Sequence, residues 1–359
     1  MRRRRAFVGL SVAGAALGLW AFWIEPASLR NETYHLAIGR WPGECAGLRV
    51  AVLSDLHVGS PFNGLDKLDR VVALTQSTRP DLILLAGDFV IHKVVGGRFV
   101  APEETATRLA GLSAPLGVFA VLGNHDWWHD RRRVQRALES RGISVLEDQA
   151  MPVSRGSCRF WLAGIGDFWE GRHDVGATLA SVPPGQPVLA FTHNPDVFPE
   201  IPERVSLTVA GHTHGGQVYI PLVGRPVVPS RYGQRYAIGH IVENGRHLFV
   251  TPGLGTSIIP VRFLVPPEVS VLELQAAPAR VGMMAVPSAR AEPPAPRGPG
   301  RIVRPGLVWR GARGQPACWI AESRQGLGPT GRTKVQNSSN FTGSVRLPSS
   351  TCVPVSSVV

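Results

Sequence analysis

Cysteine is scarce and scattered in this sequence of 359 residues. It has only four cysteines, none close to another, which excludes a disulfide-rich scaffold and a zinc ribbon. Long apolar runs are also scarce: only one stretch is long and continuously apolar, which excludes a polytopic membrane protein. Any metal site must therefore be built from histidine, aspartate, glutamate and asparagine. The cysteines are Cys45, Cys158, Cys318 and Cys352.

Acidic residues are outnumbered over the whole chain but not in its middle. The 38 Lys and Arg against 26 Asp and Glu give a formal charge of +12. Residues 1–40 carry a net +4 and residues 276–359 a net +9, so residues 41–275 carry a net −1. This middle is long enough for one sizeable core, and it lacks the basic footprint of a nucleic-acid-binding domain. The sequence therefore predicts no specific nucleic-acid partner.

The first 29 residues have the pattern of a membrane signal anchor. Four arginines at 2–5 precede the uncharged residues 6–24, which as a helix would be about 28 Å long, close to the hydrocarbon thickness of a bilayer. The arginines favour a cytoplasmic N-terminus with the rest of the chain outside, and residues 4–8 resemble a twin-arginine export signal. We predict a single-pass anchor in the cell membrane with an extracytoplasmic folded domain. A cleaved signal peptide and a buried helix are the alternatives.

Two other segments are expected to lie outside the folded domain. Residues 276–359 hold 11 Pro and 10 Gly and no lasting periodicity, which predicts a disordered tail. Residues 30–47 are expected to be a linker that leads into the first strand. The folded domain is then expected to span residues 48–275.

The middle of the chain alternates short apolar runs with helical patterns. Strand-helix-strand alternation predicts parallel pairing, and continuously apolar runs predict sheets that are buried on both faces. Beyond about residue 205 the runs follow each other more closely, which indicates mixed or antiparallel pairing. The predicted fold class is α/β. The predicted strands are residues 48–53, 82–86, 118–122, 143–146, 160–165, 188–191, 207–210, 248–250 and 269–274, and the helices are 65–78, 105–112 and 131–140.

Metal-binding residue types follow five of these strands. The carboxyl ends of strands in an open α/β sheet converge on one crevice, so these side chains should meet in space. Carboxylate and amide oxygens mixed with imidazoles, without thiolates, suit Mn, Fe or Zn at a hydrolytic site. Seven candidates are too many for one catalytic ion, and they fit two ions that share one carboxylate. The candidates are Asp55, His57, Asp88, Asn124, His193, His212 and His214.

Five sequence blocks in this order resemble the signature of the calcineurin-like metallophosphoesterase superfamily. Each block alone is a weak signal, whereas the ordered set is a strong one and covers residues 48–275. The last two blocks resemble the membrane-anchored or twin-arginine-exported bacterial branch, which includes general phosphodiesterases and UDP-2,3-diacylglucosamine pyrophosphatases of lipid A synthesis. The blocks are Asp-Leu-His at 55–57, Gly-Asp at 87–88, Gly-Asn-His-Asp at 123–126, Thr-His-Asn-Pro at 192–195 and Gly-His-Thr-His-Gly-Gly at 211–216.

The resemblance implies an αββα sandwich, in which two mixed β-sheets are flanked by helices and hold two divalent ions. A hydroxide between the ions would attack phosphorus in line. His125 would protonate the leaving oxygen or stabilise the transition state, with Asp126 orienting its imidazole. Trp127 and Trp128 would form a wall of the substrate cleft or pack in the core. The implied ligands are Asp55, His57 and His214 for the first ion, Asn124, His193 and His212 for the second, and Asp88 for both.

The implied activity is hydrolysis of a phosphoester, most naturally a phosphodiester, that is membrane-associated or outside the cytoplasm and is linked to a lipid or a nucleotide. One alternative is a UDP-2,3-diacylglucosamine pyrophosphatase, although that nucleotide lipid is made on the cytoplasmic face. A second alternative is a non-catalytic scaffold with the same fold. Such scaffolds usually lack metal ligands, and none of the seven is lacking here.

Overall fold

Two six-stranded mixed β-sheets stack at the centre of the protein, in a computed structural model that describes residues 2–277. The predicted disordered tail, apart from its first two residues, lies outside the described residues. The strands are β1 (Arg30–Ile38), β2 (Leu48–Leu53), β3 (Leu82–Ala86), β4 (Val118–Val121), β5 (Ser144–Val145), β6 (Gln149–Arg155), β7 (Cys158–Ile165), β8 (Val188–Thr192), β9 (Leu207–Ala210), β10 (Gly239–Glu243), β11 (Arg246–Val250) and β12 (Glu268–Ala276).

The first sheet has the order β1-β12-β2-β3-β4-β5. Strands β2 to β5 are parallel, and so are β1 and β12, whereas β12 runs antiparallel to β2. The second sheet has the order β10-β11-β9-β8-β7-β6, with β11, β9, β8 and β7 parallel and an antiparallel strand at each edge. The predicted switch to mixed pairing late in the chain is therefore observed in β10 and β12.

Helices cover the outer face of each sheet. The α-helices are α1 (Arg2–Leu19), α2 (Glu25–Ala27), α3 (Leu65–Ser77), α4 (Pro102–Leu109), α5 (Asn124–Glu139) and α6 (Val175–Ala180). Helix α3 turns Leu68 and Val71 toward the first sheet, and α4 and α5 pack beside it. Helix α6 and the 3₁₀ segment Pro195–Glu200 cover the second sheet.

Alternation along each strand divides the core into three layers. Val50 and Val52 of β2 face the second sheet, whereas Ala51 and Leu53 face the helices of the first. This is what the period of two in a strand requires when both faces are buried. The αββα arrangement of two mixed sheets and flanking helices, expected from the sequence, is confirmed.

The segment 30–47 contributes a strand where a linker was expected. Strand β1 pairs in parallel with β12 from Arg30 to Ile38, and its carboxyl end buries Leu36 and Ile38. The remaining side chains of β1 are exposed or half-buried, so the segment lacks the continuous apolar run that marks the inner strands. The fold therefore begins at about residue 30 rather than at residue 48.

A π-helical turn interrupts the N-terminal helix at the end of its apolar stretch. Helix α1 ends at Leu19, a π-helical turn follows over Trp20–Ile24, and α2 continues to Ala27. Among residues 2–277, no helix combines the length and the apolarity that crossing a bilayer requires. The predicted membrane-spanning helix is not confirmed.

Cys45 and Cys158 form a disulfide that joins residues 113 positions apart. Cys45 ends the 3₁₀ turn before β2, and Cys158 begins β7 in the second sheet. The bond therefore connects the segment before β2 in the first sheet to β7 in the second. The positions of the four cysteines along the chain did not indicate this pairing, because their spacing carries no information about contacts between sheets.

Candidate metal centre

Five loops that follow parallel strands bring the seven predicted ligands together. The loops after β2, β3 and β4 come from the first sheet, and those after β8 and β9 come from the second. Backbone bonds tie the loops to one another: Asp55 donates to Gly87, and Gly211 donates to His193. All seven side chains are buried, with exposures of at most 4%.

The first group of donor atoms comprises Asp55, His57 and His214. The Nε2 atoms of His57 and His214 are 3.2 Å apart, and Nε2 of His214 lies 3.4 Å from Oδ1 of Asp55. These three residues form one of the groups whose donor atoms all lie within 4.8 Å of each other. Asp88 adjoins this group, since its Oδ2 lies 3.4 Å from Nε2 of His57.

The second group lies on the other side of Asp88. The same Oδ2 atom of Asp88 is 3.3 Å from Nε2 of His193, and that nitrogen is 3.1 Å from Nδ1 of His212. Asn124, at the start of α5, lines the same cavity as Asp88 and His212, and its buried Oδ1 has no hydrogen-bond partner in the described part of the chain. Asp88 is thus the side chain that both groups share.

These separations fit two metal ions. Two atoms that bind one ion at about 2.0–2.2 Å are expected to lie roughly 3–3.5 Å apart. The observed distances of 3.1–3.4 Å fall in this range. Imidazole nitrogens that face each other, and a buried amide oxygen without a donor, are otherwise costly arrangements. Cations held between these atoms would account for both.

Backbone carbonyls fix two of the imidazoles for this purpose. Nδ1 of His193 lies 2.7 Å from the carbonyl oxygen of Ala86, and Nδ1 of His57 lies 3.2 Å from that of Val90. A proton held on Nδ1 by a carbonyl leaves the lone pair of Nε2 free to bind a metal. In both residues Nε2 is the nitrogen that faces Asp88.

Burial controls the charges of the histidines. Burial, with the charge of His125, lowers the pKa of His57 to about 3, and burial lowers the pKa values of His212 and His214 well below their ordinary range. These imidazoles are therefore neutral, as a metal ligand must be. Burial acts in the same direction on His193, but Asp88 and Asp55 outweigh it and raise its pKa.

The two carboxylates respond differently to the same environment. Burial raises the pKa of Asp55 to about 6, although the charge of His193 opposes this. Burial would also raise the pKa of Asp88, but the charges of His193, His125 and His57 outweigh it and hold the pKa well below its usual value. Asp88 is therefore ionised across the physiological range, as a shared metal ligand should be.

Five of the seven residues have left-handed backbone conformations. Such conformations cost about 1–3 kcal/mol each for residues other than glycine, and they concentrate at functional sites. They occur where the strands end, at the points from which these polar side chains enter the site. The apolar periodicity and the motifs of the sequence did not predict these left-handed conformations. The five φ values are 52° for Asp55, 38° for His57, 58° for Asp88, 67° for His212 and 51° for His214.

His125 lies beside the shared carboxylate, and Asp126 does not orient it. A nitrogen of His125 belongs to a group of donor atoms with His57 and Asp88, and its ring packs edge-on to His57 at 4.5 Å. Nδ1 of His125 is buried without a hydrogen-bond partner in residues 2–277. The expectation that Asp126 bonds this imidazole is wrong.

Asp126 instead holds the loop that presents Asp88. Its Oδ1 accepts the backbone N–H groups of Phe89 and Val90, and its Oδ2 accepts those of Asp88 and Gly123. Because Asp126 sits in the first turn of α5, it faces this loop rather than the ring of its neighbour. Asp126 is thus a positioning residue.

A cavity of about 720 Å³ opens over the metal-binding groups. Trp128 forms one wall, as the sequence allowed, whereas Trp127 packs against the first sheet and the helices. Trp169, which lies in a glycine-flanked loop that the sequence suggested could contact substrate, also lines the cavity. The sequence did not indicate most of the other lining residues, which lie in loops without a motif and are brought to the site only by the fold. They include His92, Lys93, Gln217, Val227 and Ile258.

Comparison with known proteins identifies the family. Residues 48–216 match the model of the calcineurin-like phosphoesterase family. The chain is 33% identical to the phosphodiesterase YaeI of Escherichia coli over 285 residues, which cover 76% of this chain and 100% of YaeI. The chain belongs to the calcineurin-like phosphoesterase family. It is accordingly a metal-dependent phosphoric ester hydrolase.

Two further relatives extend the similarity within this phosphoesterase family. The uncharacterized metallophosphoesterase YkuE of Bacillus subtilis is 28% identical over 74% of this chain and 92% of its own length. The UDP-2,3-diacylglucosamine pyrophosphatase LpxG of Chlamydia trachomatis is 25% identical over 71% of this chain and 92% of its own. Family members typically depend on two metal ions, and the groups around Asp88 could hold them here.

Proposed function

We propose that the protein is a binuclear metal-dependent phosphodiesterase. The observation that carries this proposal is the convergence of seven buried donor side chains on both sides of the Asp88 carboxylate. In this proposal Asp55, His57 and His214 bind one ion, and Asp88 is shared. Asn124, His193 and His212 bind the other ion. Mn, Fe and Zn all suit this mixture of oxygen and nitrogen ligands.

When bound, the two ions supply Lewis-acid chemistry, which polarises the phosphoryl oxygens and lowers the pKa of water toward neutrality. The residues of the chain prepare the site for this chemistry. His57 and His193 are held in one tautomer by backbone carbonyls, so their orientation does not change when substrate enters. Trp128 and Trp169 narrow the cavity above the site.

His125 is proposed to protonate the leaving oxygen. It lines the cavity, lies next to the shared carboxylate and lacks a partner for Nδ1. The change His125→Ala should therefore leave the metal content intact and slow turnover by roughly 10²–10⁴. The loss should be greater for an alkyl leaving group, which needs a proton, than for a nitrophenolate. An equal loss for both leaving groups would contradict the role, and the exposed His35→Ala is a matched control.

A metal series with paired substrates tests the proposed activity. The purified full-length chain is stripped with a chelator and reloaded with Mn²⁺, Fe²⁺ or Zn²⁺. Hydrolysis of bis(p-nitrophenyl) phosphate is then compared with hydrolysis of p-nitrophenyl phosphate. We expect metal-dependent hydrolysis with a preference for the diester. Hydrolysis of neither substrate with any of the metals would support the non-catalytic scaffold instead.

The disulfide bears on where the catalytic domain lies. Structural disulfides persist in oxidising compartments and are rare in the cytoplasm of mesophiles. Together with the arginines before the apolar N-terminal stretch, the Cys45–Cys158 bond supports a domain outside the cytoplasm, held at the cell membrane by residues 1–29. A reporter fused after residue 275 tests this placement.

A UDP-2,3-diacylglucosamine pyrophosphatase is the second candidate, and similarity to LpxG favours it. Its substrate is made on the cytoplasmic face, so an external reporter would exclude it. A cytoplasmic reporter, together with release of UMP from the nucleotide lipid, would establish it in place of the phosphodiesterase.

A further inference from the structure

Three loops around the mouth of the cavity form one continuous surface. Each of the segments 89–101, 217–235 and 254–267 contributes at least two residues to the cavity lining. Val95 donates its backbone N–H to Ile258, and Tyr219 donates its own to Phe263. The side chain of Gln217 also bonds the backbone of Ser257 in both directions. We call these three segments the apolar rim.

The apolar rim exposes large aliphatic side chains that the core does not need. Leu222 at its tip is fully exposed, and Val223 is 66% exposed. Single exposed apolar residues are common on proteins, but a contiguous set beside a cavity marks an interaction site. The exposed aliphatic residues are Val95, Leu222, Val223, Val227, Ile258 and Ile259.

Charge on the apolar rim has only one sign. None of its three segments contains Asp or Glu, whereas residues 41–275 as a whole are nearly neutral. Lys93 and Arg98 are exposed in the first segment, and Arg231 is exposed in the second. Aliphatic side chains mixed with basic ones, without acidic ones, match the interface of a bilayer that contains anionic lipids.

The apolar rim is also continuous with the apolar N-terminal helix. Arg262 donates its backbone N–H to the carbonyl of Ala21, and Leu264 donates to the carboxylate of Glu25. Beside these contacts, Phe22, Trp23 and Ile24 are exposed on the helix. The guanidinium of Arg262 is buried and bonds three carbonyls of its own loop, which fixes the conformation of the loop that contacts the helix.

We propose that the apolar rim docks on an anionic lipid bilayer, so that the cavity opens into the headgroup layer. Resting on the phosphoesterase function proposed above, this assigns the substrate class as a phosphoester carried by a membrane lipid. The aliphatic tips enter the acyl boundary, and the basic side chains meet lipid phosphates. The headgroup then reaches the donor atoms around Asp88 without leaving the membrane.

A depth measurement tests the docking without reference to activity. The full-length chain carries Cys318→Ser and Cys352→Ser, which remove the other thiols, and a nitroxide label is attached to the cysteine of Leu222→Cys. The labelled protein is then mixed with vesicles of phosphatidylglycerol and phosphatidylcholine. The matched control label is attached through Val242→Cys. Val242 is 54% exposed on β10 and pairs with His247 near the start of β11, whereas the third segment of the apolar rim follows the end of β11.

Oxygen is enriched in the bilayer, whereas a water-soluble nickel complex is excluded from it. We therefore expect the label at position 222 to be relaxed more strongly by oxygen than by nickel, and the label at position 242 to be relaxed more strongly by nickel. A label at 222 that stays as accessible to nickel as the control would overturn the proposal. Shielding of position 222 that rises with protein concentration in vesicle-free detergent would show that a second copy covers the apolar rim, which also overturns it.

A pair of charge insertions tests the substrate class. The change Val223→Asp should lower, by tenfold or more, the ratio of hydrolysis of a vesicle-borne phospholipid diester to hydrolysis of soluble bis(p-nitrophenyl) phosphate. The change Val242→Asp should leave that ratio within twofold. An unchanged ratio in the Val223 variant would overturn the assignment. If the unmodified protein hydrolysed neither substrate, the proposed phosphodiesterase function would be rejected. The accessibility of the nitroxide at position 222 would still test the docking on its own.

Discussion

Asp88 is the residue on which the two metal-binding groups depend. Its Oδ2 faces Nε2 of both His57 and His193, and its Oδ1 accepts the backbone N–H of His125. An asparagine at position 88 has the same shape and could still accept the hydrogen bond from the backbone of His125. It would lack the negative charge that Asp88 places between the two proposed metal-binding groups. The Asp88 carboxylate is therefore the single group that contacts both proposed metal-binding groups.

The change Asp88→Asn should release metal and lower activity by at least about 100-fold, the upper range for partners one step removed from a metal. Metal content by mass spectrometry and turnover with excess Mn²⁺ measure both effects. Asp66→Asn, at an exposed carboxylate in the first turn of α3, is the matched control. A variant that kept two ions per chain would contradict the shared role of Asp88.

Glu147 gives a pH dependence that is separate from the metal ligands. Burial raises its pKa to about 8, although the N–H of Leu122 bonds its carboxylate. Between its ordinary value and about pH 8 the folded chain keeps a proton that the unfolded chain has lost. Stability therefore falls as pH rises through this window.

The change Glu147→Gln should remove this loss and keep an acceptor for Leu122. The measurement is made with a chelator present, so that metal binding does not contribute to stability. The midpoint of thermal unfolding of the variant should then exceed that of the parent by at least about 2–4 °C at pH 8, which corresponds to about 1 kcal/mol. The two midpoints should coincide near pH 4.5. Glu44→Gln, at an exposed position, should match the parent at both pH values. Parallel pH curves for the Glu147 variant and the parent would show that this carboxyl is ionised in the fold.

The identities of the ligands could be predicted from the sequence, but their surroundings could not. Asp, His and Asn residues that follow apolar strands can be recognised directly in the sequence, and they lie together in the structure. The bonds of Asp126 to Phe89 and Val90 depend on the direction in which the first turn of α5 faces. The wall formed by Trp169 and Ile258 depends on loops that carry no periodic signal.

At the scale of elements, the turn between β4 and α5 is packed against the loop after β3. An added Cβ on Gly123 would lie 2.2 Å from Oδ1 of Asp88 and 2.6 Å from its backbone nitrogen. Gly123 has a φ of −100°, so backbone strain is not the reason that glycine is needed here. The reason is the close approach of the two loops.

The change Gly123→Ala should therefore displace Asp88 and lower activity by roughly 100-fold, because about 1 Å of misplacement is enough for such a loss. Gly39→Ala is the control, since a Cβ at Gly39 meets nothing within 4 Å. Full activity and metal content in the Gly123 variant would show that the β4–α5 turn and the loop after β3 can separate without displacing Asp88.

The strands that the sequence failed to predict share one position in the fold. Strands β1, β6 and β10 are all edge strands, whereas the predicted strands include every inner strand of both sheets. An inner strand is buried on both faces and is read as a continuous apolar run. An edge strand such as β10 alternates half-buried and exposed residues, so its pattern resembles that of a loop.

At the scale of the molecule, the Cys45–Cys158 disulfide closes a long loop between the two sheets. Joining residues 113 positions apart restricts the unfolded chain, and disulfides of this kind typically contribute about 2–4 kcal/mol. The double change Cys45→Ser and Cys158→Ser should lower the free energy of unfolding by that amount. Denaturant titration under oxidising conditions measures it.

The matched control for this change is Cys318→Ser with Cys352→Ser, which leaves the bond intact. Reduction of the parent protein should reproduce the loss, and reduction of the double variant at 45 and 158 should add nothing. Equal midpoints for parent and variant would show that packing between the sheets suffices without the covalent link.

The placement of ligands on both sheets has a consequence for the order of events during synthesis. His57 and His214 lie 157 residues apart, so neither metal group is complete until almost the whole domain has left the ribosome. Contacts of such high sequence separation form late in folding. The two complete sets of proposed ligands can therefore form only in chains whose two sheets have already met, and bound metal would report that the sheets have joined.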